Sequence, residues 1–124
     1  MGRLGLIDGD GWPRVLPVTY AVLSGSLVTA VDDKPKGVAP ERIARVRWLR
    51  DRPGAALTVD HYEEDWSALA WVQAIGLVAI FEAEAAPEAV AALAGRYPHY
   101  RARPPAGPVL VLTPERLLGW RASG

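Results

Sequence analysis

The chain contains no cysteine, only two lysines and no net charge: 14 basic side chains balance 14 acidic ones over 124 residues. Without cysteine there is no disulfide, no thiolate metal site and no cysteine nucleophile. The charge balance excludes the overall basic excess of a general nucleic-acid binder. No apolar run reaches the roughly 18 uninterrupted residues that mark a membrane span. The start, Met1 to Asp8, lacks the long apolar segment of a secretory leader. A soluble cytoplasmic protein without nucleic-acid or membrane partners is expected. Half the residues are hydrophobic and 23% are charged, the composition of a folded chain rather than a disordered one. The length suits one domain, residues 1–124. A domain of this size buries roughly two-thirds of its unfolded surface. That leaves little wall to enclose a large substrate alone, and favours a second subunit.

What is present reads mostly as strand. Arg3 to Asp8 places Leu4 and Leu6 on one face. Asp8-Gly9-Asp10-Gly11 is a turn, because Asp and Gly tolerate the backbone of tight hairpins. Arg14 to Leu23, rich in Val, Thr and Tyr, forms a second strand. Ser24-Gly25-Ser26 turns the chain into a third, Leu27 to Asp32, and the three predict an antiparallel meander. Pro40 opens a helix on which Ile43, Val46 and Leu49 recur at helical spacing, ended by Pro53-Gly54. Ala55 to Tyr62 returns to strand. Ser67 to Glu84 mixes signals, and its Trp, Val, Ile and Phe favour one long bent strand with a bulge or bend at Gly76. Pro87 to Arg96 is a second helix. Tyr97 to Pro108 is an irregular, proline-rich link. Val109 to Leu112 is a strand that Leu117 to Trp120 continues. About six antiparallel strands and two helices predict a mainly β fold closed as a small barrel.

Arginine outnumbers lysine by 12 to two, and both lysines, Lys34 and Lys36, flank Pro35. They follow a strand ending in Thr29 to Asp32 and precede a helix carrying Arg42 and Arg45. Free N–H groups at a helix start, two ammonium groups and a hydroxyl suit a phosphate. A solvated turn, its lysines neutralised by Asp32 and Asp33, fits equally. Arg14 supplies another phosphate contact or is a surface arginine. Thr19 and Tyr20 lie on opposite faces of their strand, and either can line a ligand. The five tryptophans read as core, interface or a stacking surface for a planar cofactor, Trp66 and Trp71 most of all. His61 and His99 are too isolated for a metal cluster, and no metal is expected. No serine has a hydrolase context. The arginines of residues 97–108 can meet an anionic substrate tail, or the segment is only a rigid crossing.

Several pieces together are more specific. Gly11-Trp12-Pro13-Arg14-Val15-Leu16-Pro17-Val18-Thr19-Tyr20 resembles the first hairpin of the pyridoxamine 5'-phosphate oxidase-like family. Thr29-Ala30-Val31-Asp32-Asp33-Lys34-Pro35-Lys36 resembles its cofactor-phosphate strand and loop. Val59 to Trp66, Arg96-Tyr97-Pro98 and Arg103 to Pro108 resemble a branch assigned to the deazaflavin coenzyme F420. The resemblance implies a split β-barrel of the FMN-binding type. It further implies a homodimer holding FMN or F420 at its interface, and hydride transfer to or from a small organic substrate. It implies a cofactor-binding set of Arg14, Val18, Thr19, Thr29, Lys34, Lys36 and Trp71. Among these, Arg14 and Lys36 would meet phosphate, Thr29 would add a hydroxyl contact, and Trp71 would touch the ring from the partner subunit. No catalytic side chain is implied. Vitamin B6 oxidation itself is not expected, because the substrate-phosphate residues of the true oxidases are not evident. A carrier or sensor that binds the same cofactor without turnover is the alternative.

Overall fold

The computed structural model describes residues 1–31 and 40–122. One seven-stranded antiparallel sheet dominates, in the order β2-β1-β5-β6-β7-β4-β3. Its strands are β1 (Gly2–Ile7), β2 (Pro13–Val18), β3 (Ala21–Leu23), β4 (Ser26–Ala30), β5 (Gly54–His61), β6 (Ala70–Phe81) and β7 (Val109–Arg121). The helices are α1 (Pro40–Asp51), α2 (Pro87–Arg96) and α3 (Pro98–Ala102), with short 3-10 turns at Trp66–Ala68 and Ala83–Ala85.

The expected second strand is two strands. β2 pairs with β1 and β3 pairs with β4, at opposite edges of the sheet, so the three-stranded meander does not form. Only Thr19 and Tyr20 separate β2 from β3. Two residues span at most about 7 Å of extended chain. The sheet therefore curls until its two edges approach at this link, although β2 and β3 share no ladder among the described residues.

Alternation then decides the layers. Leu4, Leu6, Val18, Tyr20, Leu57, Ala74, Val78, Leu110 and Leu112 fill the inside of the curl, joined by Leu49 of α1 and flanked by Trp48. A second cluster lies on the far side of β3 and β4, where Ala21, Val28 and Ala30 pack against Ala89 and Leu93 of α2 and Tyr100 of α3. β4 is thus covered on both faces.

The irregularity expected at Gly76 is present, with the extra residue on the partner strand. Ile75 faces Arg116 and Gly76 faces Pro114, leaving Glu115 unpaired in β7. A Cβ on Gly76 would stand 2.0 Å from the Thr113 carbonyl oxygen, so only glycine lets β7 press this close. β7 runs unbroken through Thr113-Pro114. The link after α2 contains α3, a helix the proline content conceals, although Pro98 occupies its first turn, where a missing N–H costs nothing. Seven strands and three helices among the described residues replace the expected six and two. No helix there is long and apolar enough to cross a membrane.

Candidate functional site

Asp8 organises the start of the site. Its Oδ1 accepts the backbone N–H groups of Asp10 and Trp12, each at 2.9 Å. Its Oδ2 lies 3.6 Å from the Arg14 guanidinium. The N–H groups hold the carboxyl below its ordinary range against the opposing effect of burial, and Arg14 adds to them. Arg14 also lies over the Trp48 ring, 5.2 Å from its centroid, while Arg52 donates to the Asp8 carbonyl at 2.7 Å. This ties α1 to the β1–β2 hairpin. The Arg14 side chain keeps 39% of its surface exposed, so it remains within reach of a ligand.

The link between the sheet edges is clasped by the α2–α3 segment. The Thr19 hydroxyl is 2.8 Å from the Tyr100 hydroxyl, and the Tyr97 hydroxyl accepts the Tyr20 N–H at 3.1 Å. Arg96 lies over the Tyr20 ring at 4.1 Å. Val18 is buried inside the curl. Thr29 is also inside, 6% exposed, and its Oγ1 has no hydrogen-bond partner among the described residues. It borders a cavity of about 10 Å³ otherwise lined by aliphatic groups and Tyr20.

Trp71 stands elsewhere, on the outer face of the sheet. Its register neighbours are Asp60 on β5 and Trp120 on β7. The next row on that face is Arg3, Thr58, Gln73 and Leu118. Gln73 donates to Thr58 at 2.9 Å, and Arg3 pairs with Asp60 at 3.1 Å. Trp120 is 48% exposed, and Leu118 and Val15 are exposed on the same face.

The expected site residues thus fall into four places. Arg14 is at the hairpin end, Val18 and Thr29 are in the interior, Thr19 is under the clasp, and Trp71 is outside. Lys34 and Lys36 lie outside the described residues, as does the side chain of Arg42. The carboxylates of residues 60–65 form no grouping able to hold a metal ion among the described residues; Asp65 instead accepts the Ser67 N–H and hydroxyl. Trp66 is 77% exposed in its turn. The clasp of Tyr97 and Tyr100 escaped the sequence reading, and Pro98 at a helix start was its available signal.

No protein-family model matches the chain, and no curated protein does. Solved structures share its fold. The conserved hypothetical protein Rv2991 from Mycobacterium tuberculosis is 21% identical, with a TM-score of 0.74 over 97% of this chain and 76% of that one. A heme binding protein from Mycobacterium smegmatis is 24% identical, with a TM-score of 0.76 over 99% of this chain but only 49% of the longer one. A FAD-binding protein from Mesorhizobium loti is 19% identical, with a TM-score of 0.69 over 98% of this chain and 86% of that one. At these identities the likeness shows a common fold.

Proposed function

We propose that the chain is one subunit of a homodimeric oxidoreductase that binds FMN or coenzyme F420 between its two copies. It would pass hydride to or from a small organic substrate. The observation that supports this best is the outer sheet face, where Trp71 and Trp120 are register neighbours and Trp120 is half exposed beside exposed Leu118. A planar ring has there an aromatic surface to stack on. Exposed apolar surface of this kind is typical of partner sites, and one copy offers only one wall. The fold likeness to a FAD-binding and a heme binding protein favours the same class of ligand, since both molecules join a large planar ring to anionic groups. We read the curled sheet as the split β-barrel of the pyridoxamine 5'-phosphate oxidase-like proteins.

The residues fit a ring with an anionic tail in part. Arg14, partly exposed and 3.6 Å from Asp8, suits an anionic group, and Lys34 and Lys36 join it in this reading. Trp71 packs on the ring. Thr29 does not fit: a cavity of about 10 Å³ has room for about one water and none for a phosphate. Val18 and Thr19 shape the wall without contacting the ligand, Thr19 being engaged by Tyr100. Bound flavin or deazaflavin supplies the hydride chemistry. The chain's own part is to hold the ring and exclude water. The carrier or sensor alternative is favoured by one observation: Asp60, the carboxylate beside Trp71, is engaged by Arg3.

The test is titration of the purified protein with FMN, F420, FAD and heme, read by tryptophan quenching and absorbance. Turnover of the reduced cofactor with electron acceptors follows. Quenching by FMN or F420 with turnover supports the oxidoreductase, and binding without turnover supports the carrier. Binding of heme alone, or of nothing, sinks both.

A further inference from the structure

Between Glu88 and Glu115 the chain has no carboxylate, yet residues 89–114 hold Arg96, His99, Arg101 and Arg103. The neutral whole therefore hides a local excess of three positive charges. Arg3 and Arg14 meet carboxylates at other places in the fold. Arg96, Arg101 and Arg103 are exposed, and none of them forms an ion pair with a described carboxylate.

The segment is also fixed in place. Tyr100 is buried in the outer core cluster and bonds to Thr19, and the Tyr97 hydroxyl accepts from Tyr20. Arg96 sits over two rings, Tyr20 at 4.1 Å and Tyr97 at 5.5 Å. Contact over a ring face positions a guanidinium without consuming its N–H donors. The Arg103 N–H closes the end of α3 on the His99 carbonyl. Charge with no carboxylate partner among the described residues, on a scaffold already ordered, is the arrangement that binds an anion with little entropy to lose.

We propose that Arg96, Arg101 and Arg103 form an anion-binding surface that takes the phosphate or carboxylate end groups of a small organic ligand. Only the identity of that ligand, the tail of a planar cofactor, rests on the reading above; the surface itself does not.

Tripolyphosphate and tetraglutamate carry such groups without any ring. Each is titrated calorimetrically into the intact protein at low and high salt. At least one binds at low salt and weakens as salt rises. Arg96→Gln with Arg103→Gln lowers its affinity by about tenfold or more, while Arg50→Gln, on α1, which packs against β1 and β6, changes it less than about twofold. The preferred probe says whether the tail is phosphate or carboxylate. Thermal unfolding checks that the double variant is folded. Arg101→Gln, which removes no ring contact, serves if it is not. The proposal fails if neither probe binds, if the folded double variant binds as the parent does, or if Arg50→Gln weakens binding equally. Probe binding without flavin binding would overturn the cofactor reading and leave this one standing.

Discussion

Thr29 carries a buried hydroxyl with no hydrogen-bond partner among the described residues. Leaving a buried polar group unsatisfied costs about 1–3 kcal/mol. Thr29→Val keeps the branched shape and removes the cost, so stability should rise by about 1 kcal/mol, seen as a higher urea midpoint at unchanged slope. A lower midpoint would show that the hydroxyl has a partner. Asp8 works in the opposite sense. Its carboxyl is held below the ordinary 3.8 by backbone N–H groups and Arg14, so its contribution is complete above that value and is lost as pH falls toward the lowered one. Stability of the parent should decline below about pH 4, and the advantage of the parent over Asp8→Asn should shrink there. A constant difference from pH 7 to pH 2 would count against the assignment. The role of Asp8 is legible in the sequence, since Asp-Gly-Asp-Gly announces the turn its side chain closes. That of Thr29 is not. Alternation says which residues share a face, but β4 is buried on both faces, so nothing local marks the hydroxyl as orphaned.

At the scale of elements, the glycines of the long β6–β7 pair separate two situations. Gly76→Ala drives a methyl into the Thr113 carbonyl, a clash between two backbones that neither strand can relieve. It should cost at least about 3 kcal/mol or abolish folding. Gly119→Ala meets its nearest backbone atom at 3.5 Å and should change stability by less than about 0.5 kcal/mol. Thermal unfolding of the two variants makes the comparison, and equal losses would contradict the bulge. The bulge itself is legible, because a lone glycine in an apolar strand implies close approach. The break between β2 and β3 is not. Val18-Thr19-Tyr20-Ala21 favours strand throughout, and the interruption comes from the curl of the whole sheet. α3 is hidden for the reverse reason. Prolines that suggest a loop sit at a helix start, and the burial of Tyr100 sustains one short turn.

For the whole molecule, the uncovered outer face makes the strongest demand. If two copies meet there, sedimentation should show a dimer at micromolar concentration, and Trp120→Glu should yield a folded monomer with weakened cofactor binding. A parent that stays monomeric would refute the shared interface. The fold class was readable from short strands and frequent turns, but the strand order was not, since β1 beside β5 and β4 beside β7 are pairings that no local pattern encodes. That order has a consequence for synthesis. β7 follows the other six described strands in the chain, and among the described residues it alone joins β4 and β3 to the rest of the sheet. Until it leaves the ribosome, the β3–β4 hairpin has no neighbour strand and the curl cannot close. The emerging chain must carry that open edge from the synthesis of β4 to that of β7. Closure waits on contacts far apart in sequence, which form slowly and leave unpaired strand edges open to aggregation. This is the stage at which a chaperone would find the most to hold.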